Sequence, residues 1–320
     1  MFLFAVPAVT QAQFTFTTNN GALAIKRYTG SGGVITLPES TNGYPVTSIA
    51  DGAFKSTAVA SVRIGTNITR IGAGAFCYCA SLTNVTIPSS VTNILDTTFL
   101  TCTSLTTATI PDSIKSIGYQ AFENCYSLTS ATIPDSVISI EGQAFAGSGV
   151  TDVTIGNGVT FIGIQAFSLC PNLTNVTIGK SLTYLDYYVF FRSPSLKGVY
   201  FAGDAPTLAT DVFRDDINAI AYYLPGTSNW DTFATNAGIP AVLWLPQIEA
   251  NGRGFGVQSN QFGFNIRWAS GMVVAVEACT NLVNPLWSAV GTNLLSGSSS
   301  YFSDSQCTNS ADRFYRLRWP

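Results

Sequence analysis

The chain has 320 residues, of which 46% are hydrophobic and only 10% are charged. This is enough apolar material for a large core and too little charge for a disordered chain. The net charge of -3 leaves no basic field to attract nucleic acid. The chain also has no histidine, so the commonest general base and the commonest metal ligand are missing. We therefore expect no catalytic residues, no metal and no cofactor.

Residues 1–12 begin with an apolar run. This run has the length of the apolar part of a signal peptide, and Thr10 and Ala12 fit the small-residue positions before a signal-peptidase cut. The basic residues that normally precede it are missing, which fits a clipped or mis-started signal peptide. The alternative interpretation is a first β-strand of a cap. Because no later apolar run approaches about 20 residues, the sequence predicts no membrane span.

A repeat of 22 or 23 residues is the strongest signal in the sequence. It is marked by phenylalanines at Phe54, Phe76, Phe99, Phe122, Phe145, Phe167, Phe190 and Phe213. One aliphatic column keeps the same step through Ile49, Ile71, Ile94, Ile117, Ile140, Ile162, Leu185 and Leu208. Another contains Ile64, Ile87, Ile110, Ile133, Ile155, Ile178, Phe201 and Leu224. Such aligned columns predict a stack of equivalent structural units.

Within one unit, Val85 and Ile87 alternate with a threonine, which predicts a strand with one buried face. Pro88 lacks a backbone donor and ends this strand. Val91 and Ile94 line a return path that is too short for an ordinary helix, so we expect short strands, turns or 3₁₀ segments there. A unit of this size cannot bury its own apolar face. The sequence therefore predicts a β-rich solenoid of about eight coils with a parallel sheet.

These repeats resemble the bacterial surface-antigen (BspA-like) class of leucine-rich repeats. The resemblance covers about residues 34–224 and is carried by stretches such as Ala121-Phe122-Glu123-Asn124-Cys125 and Ile133-Pro134-Asp135-Ser136-Val137. It implies an extracellular leucine-rich-repeat solenoid involved in adhesion or protein binding, and it carries over no catalytic residues. The pattern weakens at the ends, since the unit at Val59–Ile64 lacks the cysteine and the unit that ends at Phe213 has lost its alanine.

The segments at the two ends of the repeats read as caps. In residues 13–45, apolar side chains alternate in two short runs around a turn at Asn19-Asn20-Gly21, which predicts a hairpin. The solenoid and its terminal cap are assigned to residues 46–245. There Trp230, Phe233 and Trp244 are expected to cover the last coil, and a sugar-stacking platform is the alternative interpretation.

Residues 246–320 depart from the repeat and predict a small antiparallel β-domain. The expected strands are Phe262–Ile266, Met272–Glu277, Tyr301–Phe302 and Arg313–Trp319. The segment resembles a C-terminal β-module of secreted proteins of environmental bacteria, at Glu277–Leu282, Trp287, Tyr301–Asp304 and Arg313–Arg316. That resemblance suggests export, anchoring or capping.

The seven cysteines divide into three groups. A repeat column contains Cys79, Cys102, Cys125 and Cys170, with Ser148 in the intervening unit. These are interpreted as small buried thiols, since a one-dimensional ladder does not make a tetrahedral metal site. Cys77 lies outside the column and is expected to face solvent. An oxidising compartment would allow Cys279 and Cys307 to bridge within the last domain, and the sequence leaves this question open.

The outward positions of the repeated strands form a ladder of small polar groups. They are Asn84, Thr86, Thr107, Thr109, Ser130, Thr132, Asp152, Thr154, Asn175 and Thr177. One interpretation is that threonine is simply a good residue for an exposed strand. The functional one is a shallow face for a protein or glycan, and ice or mineral binding is a third. Asp112 and Asp135 are expected to form Asx turns, and Asp215-Asp216 to be a solvated acidic pair.

The hypothesis that these observations favour is a non-enzymatic scaffold, secreted or at the cell surface, that binds a protein or glycan. It needs neither nucleic acid nor a membrane span, and we expect a monomer. The alternatives are a structural spacer with a C-terminal attachment module and, more remotely, a hydrolase with carboxylate chemistry. The latter requires two acids facing one cleft, and no such pair is evident in the sequence.

Overall fold

The computed structural model describes residues 13–19, 21–250, 254–258, 260–268, 271–297, 299–309 and 312–318. The proposed signal-peptide remnant at 1–12, Asn20 of the predicted turn and Trp319 lie outside these ranges. The chain divides into two units, one ending at Val242 and the other starting at Leu243.

The first unit consists of short strands and a short helix. Its elements are β1 (Phe14–Asn19), β2 (Ala22–Tyr28), β3 (Gly33–Thr36), β4 (Ser40–Thr41), β5 (Tyr44–Ile49), β6 (Val59–Arg63), β7 (Arg70–Ile71), β8 (Asn84–Thr86), β9 (Asn93–Ile94), β10 (Thr107–Thr109), β11 (Ser116–Ile117), β12 (Ser130–Ile133), β13 (Ser139–Ile140), β14 (Asp152–Ile155), β15 (Phe161–Ile162), β16 (Asn175–Ile178), β17 (Tyr184–Leu185), β18 (Gly198–Phe201), β19 (Thr207–Leu208), β20 (Ile220–Tyr223), α1 (Phe233–Ala237) and β21 (Ala241–Leu243).

The repeated strands stack in parallel, and the repeat columns are in register from β6 to β10 and from β12 to β20. One sheet has the order β10-β8-β6-β3 and another the order β12-β14-β16-β18-β20-β21. Val153 faces Val176 and Ile155 faces Ile178, so the same side chain recurs at each rung. The prediction of a solenoid with a parallel sheet is confirmed. The stack is longer than the eight predicted coils, because β3 adds a strand before them and β21 adds one after them.

The return path of each coil contains a two-residue strand, as the length of the segment predicted. These strands form a parallel sheet of order β19-β17-β15-β13-β11-β9. Ile117 pairs with Ile94 on one side and with Ile140 on the other, and all three are buried. This sheet forms the second wall of the solenoid. Because it uses only two extended residues per coil, it fits within a repeat of 22 or 23 residues.

A turn connects the two walls and makes a third hydrogen-bonded ladder. Its residues Gln120 and Asn124 have φ of 55° and 57°, a left-handed conformation that is unfavourable for a side chain with a Cβ. The N–H groups of Gln120, Phe122 and Asn124 donate to carbonyls of the next coil at 3.0, 2.7 and 2.9 Å. These bonds offset the backbone strain, since they align donors and acceptors along the stack.

The core is a continuous aromatic stack between the walls. The eight repeat phenylalanines, Phe54 to Phe213, are all buried. Adjacent rings are nearly parallel, as for Phe122 and Phe145, whose centroids are 5.1 Å apart at an interplanar angle of 10°. This places the predicted phenylalanine column inside the solenoid from the first coil to the last.

The two ends of the stack are covered by different elements. β1 and β2 form the predicted antiparallel hairpin, and Phe14 packs on Phe54 at 6.3 Å. At the other end, Trp230 and Phe233 are buried and pack edge-on against Phe201. The plugging role predicted for these two aromatics is confirmed. Trp244, the third residue in that prediction, belongs to the second unit.

The second unit is antiparallel, as predicted. Its strands are β22 (Gln247–Glu249), β23 (Gly256–Gln258), β24 (Gln261–Arg267), β25 (Val273–Cys279), β26 (Ser288–Leu294), β27 (Ser299–Asp304) and β28 (Phe314–Arg318). β24 lies between β22 and β23 and also pairs with β27, while β25 lies between β26 and β28. Phe264, Trp268 and Phe302 are buried in this unit. The sequence did not predict β22, β23 or β26.

Candidate functional site

The outward surface of β6, β8, β10, β12, β14, β16, β18 and β20 is called the strand face below. All ten polar residues predicted for this ladder point away from the core. Eight of them are exposed, and Asn175 and Thr177 are half-buried. In-register pairing aligns them in two columns, with Asp152 between Ser130 and Asn175 in one and Thr154 between Thr132 and Thr177 in the other.

One of these columns consists of threonines: Thr86, Thr109, Thr132, Thr154 and Thr177. Successive coils space such side chains by about 4.8 Å. In the part of the chain that the structure describes, their hydroxyls make no hydrogen bond to protein atoms. Each hydroxyl therefore retains one donor and two acceptor positions for a ligand. The column is flat and lacks charge, so it suits a broad, shallow contact.

The other column is partly occupied by bonds between its own members. Asn84 Oδ1 accepts a hydrogen bond from Ser61 Oγ at 3.3 Å. Asn175 Nδ2 donates to Asp152 Oδ1 at 2.9 Å. These bonds hold the longer polar side chains against the sheet, so this edge of the strand face is more rigid and offers fewer unused polar groups.

Threonines that precede the strands have a structural role that the sequence did not separate from the ladder. Thr83 Oγ1 donates to the carbonyl of Ala60 at 3.0 Å, and Thr106 Oγ1 donates to that of Thr83 at 2.9 Å. Thr174 does the same with Thr151 at 2.9 Å. Because these hydroxyls bridge successive coils, they belong to the framework of the solenoid and not to its binding surface.

The threonine column becomes aromatic at its C-terminal end. Thr177 pairs with Tyr200, which pairs in turn with Tyr222. The two tyrosine rings stack at 4.7 Å with an angle of 10°. A Cβ on Gly198 would meet the Tyr200 ring at 2.5 Å, so the missing side chain leaves room for it. The repeat alignment could have identified this pair, since both tyrosines continue the outward column.

The repeat cysteines act as hydrogen-bond donors inside the core. Cys102, Cys125 and Cys170 donate their thiols to carbonyls of earlier coils, for example Cys125 Sγ to Phe99 at 3.3 Å. Burial raises the pKa of Cys125 to about 12 and that of Cys170 to about 11, so both thiols stay protonated. All seven cysteines are free, including Cys279 and Cys307.

Two predictions about buried and exposed groups were wrong. Cys77, expected to face solvent, is buried, and this burial raises its pKa. Asp216, expected to be solvated, is only 2% exposed. It is the last member of the cysteine column, one repeat after Ser193, so its position in the coil directs it inward. Its neighbour Asp215 is exposed and pairs with Arg192 at 3.2 Å.

Asp216 accepts a hydrogen bond from the Ser193 N–H at 2.7 Å through Oδ1. Its Oδ2 is buried, and it has no hydrogen-bond partner among the described residues. Burial raises the pKa of this carboxyl to about 7, although the Ser193 bond opposes the shift. Asp135 also differs from its expected Asx turn, since it accepts from the Asn157 N–H of the next coil at 2.7 Å.

Within the described ranges, no group of three or more Cys, Asp or Glu side chains could hold a metal ion. No described helix is both long and apolar enough to cross a membrane. The geometry defines a class of protein: a parallel repeat solenoid whose regular outer surface is polar and whose core is built from repeat columns.

A comparison with known protein families shows which family of repeat proteins this chain belongs to. A sequence model of the BspA type leucine rich repeat region matches residues 47–172 and 94–220, in six copies. The match covers more than half of the chain, and the chain belongs to this family. The search of curated proteins gave no match.

Several solved structures match this chain at low sequence identity. The T. pallidum leucine rich repeat protein is 22% identical, with a TM-score of 0.48 over 68% of this chain and 86% of its own. A leucine rich cell surface protein of Faecalibacterium prausnitzii is 22% identical, with a TM-score of 0.45 over 76% and 95%. A leucine-rich repeat protein of Bacteroides ovatus is 22% identical, with a TM-score of 0.43 over 72% and 75%.

Proposed function

We propose that the chain is a non-enzymatic binding scaffold, secreted or held at the cell surface, whose strand face binds a protein or glycan. The threonine column carries this proposal, because it presents aligned hydroxyls that no described protein group uses. A rigid surface loses little conformational entropy when a ligand docks. The stacked Tyr200 and Tyr222 add an aromatic end to the same face.

The distribution of polar groups supports a broad contact more than a catalytic cleft. Hydroxyls on the strand face lie on a regular sheet, whereas a catalytic site needs groups that converge on one reacting atom. Asp216, the buried carboxylate among the described residues of the first unit, lies in the core column and away from this face. Membership of a leucine-rich-repeat family supports the same assignment.

The test is a protein and glycan array probed with the full chain, followed by affinity measurements on the ligands found. The variant carries Thr109→Tyr and Thr132→Tyr, which cover the middle of the strand face without changing the charge. Tyrosine fits an exposed strand, as Tyr200 and Tyr222 show. We expect at least a tenfold weaker affinity, equivalent to about 1.4 kcal/mol, with unchanged thermal unfolding.

The matched control carries Ile138→Tyr and Ile164→Tyr, at exposed apolar positions outside the strand face. It should bind like the wild type. Equal loss in both variants, or no loss in either, would reject the strand face as the binding surface. If the wild type binds no arrayed protein or glycan, the structural-spacer hypothesis replaces this proposal.

A further inference from the structure

The charges of the first unit are unevenly distributed along the solenoid. Residues 1–70 contain five basic and two acidic side chains, whereas residues 71–242 contain five basic and twelve acidic ones. The N-terminal end is thus positive within a chain of net charge -3. In a protein with so few charges, a local excess of this kind sets the sign of the surface potential there.

Three of these basic residues line one cleft. Lys26 and Arg27 come from β2, and Lys55 comes from the first repeat turn. All three are exposed, and the cleft has a volume of about 590 Å³. The neighbouring Ser56 adds a hydroxyl to its wall.

The cleft has a rigid floor. Tyr28 is 2% exposed and stacks on Phe54 at 5.3 Å. Its backbone N–H donates to the carbonyl of Ala53 at 2.8 Å, which joins β2 to the first repeat turn. The basic side chains therefore extend from two segments whose backbones are fixed relative to each other.

The single acidic residue that lines the cleft is already neutralised. Asp51 Oδ1 accepts from Arg70 at 2.7 Å and from the Ala73 N–H at 3.0 Å. In the described part of the chain, no ion pair joins a carboxylate to Lys26, Arg27 or Lys55. Lys55 Nζ lies 5.8 Å from the centre of the Tyr78 ring, a cation-π contact that does not neutralise its positive charge.

We propose that this cleft binds the carboxylate or sulfate groups of an acidic polysaccharide. Lysine ammonium and arginine guanidinium groups donate charge-assisted hydrogen bonds to such anions. A polysaccharide segment carries separated anionic groups that can reach the three cations while its uncharged hydroxyls contact Ser56 and the backbone. This site is separate from the strand face and does not depend on the function proposed above.

The local character of the positive charge favours a polysaccharide over a nucleic acid. Nucleic-acid binding relies on many phosphate contacts along an extended basic surface. Here the charged residues of the following coils are predominantly acidic, so the basic surface does not continue along the solenoid to supply those contacts. An anionic membrane likewise needs a broad basic surface, and the three cations here lie around a concave cleft.

The test measures binding of the full chain to heparin and to polygalacturonate by calorimetry at low and at moderate salt. Neutral dextran, single-stranded DNA and phosphatidylglycerol vesicles are the comparison ligands. Lys26→Gln with Lys55→Gln removes two cleft charges. The matched control is Lys115→Gln with Lys180→Gln, which removes two exposed charges from later coils.

We expect at least one acidic polysaccharide to bind in a salt-sensitive way and dextran not to bind. The cleft variant should bind at least tenfold more weakly and with a smaller salt dependence, while the control variant stays within about twofold of the wild type. Absence of polysaccharide binding, equal loss in both variants, or tighter binding of DNA or vesicles through the same residues would overturn the proposal.

The outcome is independent of the strand face. The Thr109→Tyr and Thr132→Tyr variant changes no charge and should retain full polysaccharide binding. The cleft variant should in turn retain any ligand of the strand face. Loss of polysaccharide binding in the strand-face variant would place that ligand outside the cleft and overturn this inference alone.

Discussion

The two units of the chain satisfy their buried polar groups in different ways. In the solenoid, a donor finds its acceptor in the adjacent coil, as Cys125 Sγ does with the Phe99 carbonyl, and the pair recurs in later coils. In the second unit, Asp304 is 5% exposed and accepts from Arg313 at 2.7 Å and from Tyr315 at 3.0 Å. The repeat thus uses neutral donors many times, whereas the second unit uses individual ion pairs.

The difference follows from the number of neighbours that a repeat provides. Each coil of the solenoid meets an equivalent coil on either side, so one column of small donors serves the whole stack. In the second unit, Glu277 obtains its partners from β28, where Arg316 and Arg318 approach its two oxygens at 2.6 and 2.7 Å. The hydrogen bond from Arg316 lowers the pKa of Glu277. Both of these ion-pair groups form between side chains at non-repeating positions of the sequence.

The largest expected effect comes from interrupting the aromatic stack. Phe122→Ala removes a fully buried ring that contacts Phe99 and Phe145, and we expect a loss of about 3–5 kcal/mol in the free energy of unfolding of the first unit. Urea denaturation measures this loss. Tyr126→Ala, at an exposed position of the same coil, should change stability by less than about 0.5 kcal/mol. Similar effects of both substitutions would contradict a continuous core.

Removing a buried ion pair should destabilise the second unit alone. Asp304→Ala leaves Arg313 without its carboxylate in a largely buried position, at an expected cost of about 3 kcal/mol. Hydrogen-exchange mass spectrometry should show loss of protection in β24, β27 and β28, with β8 to β18 unchanged. Asp312→Ala, at an exposed position, is the control. Equal loss of protection in the solenoid would show that the units do not unfold separately.

Asp216 should make the solenoid less stable as the pH rises. Its pKa is raised from 3.8 to about 7 by burial, so the folded state binds a proton more tightly than the unfolded state. The resulting stabilisation is full below about pH 3.8 and is lost as the pH rises through about 7. Its amplitude is a few kcal/mol, since each pKa unit corresponds to about 1.4 kcal/mol.

The corresponding variant is Asp216→Asn, which keeps the shape and stays neutral. It should be more stable than the wild type at pH 8 and should remove this pH dependence, measured as the urea midpoint from pH 4 to 8. Asp215→Asn, which alters the exposed partner of Arg192, is the control and should leave most of the pH dependence in place. A wild type with constant stability over this range would show that Asp216 does not take up a proton.

The smallest effect is expected in the cysteine column. Cys125→Ala removes the donor to the Phe99 carbonyl and should cost about 1–2 kcal/mol. Cys125→Ser keeps a donor and should lose less, because Ser193 occupies the same column and donates to Phe167 at 3.0 Å. Thermal unfolding of both variants measures the difference. A serine variant that is as unstable as the alanine variant would show that packing of the sulfur, and not its hydrogen bond, stabilises the column.

Most of the solenoid could be predicted because each repeat places the same residue in the same environment. The column of Phe54 to Phe213 and the alternation around Val85 and Ile87 fix both the buried face and the register, and the structure confirms both. The ladder of outward residues followed from the same register. The strands β22, β23 and β26 escaped prediction, since they lie in a unit without a repeat and pair with partners distant in sequence.

The amino-acid sequence by itself determined the coil length, the core columns and the outward position of the strand-face residues, because periodic side chains can bury one face only by stacking. The tertiary structure alone decided which polar groups are used within the protein. Asp216 and Cys77 are buried. The hydroxyls of Thr83 and Thr106 bridge successive coils, and Lys26 and Lys55 line one cleft. These outcomes depend on atoms from different coils or from non-repeating segments, and their proximity is set by packing in three dimensions.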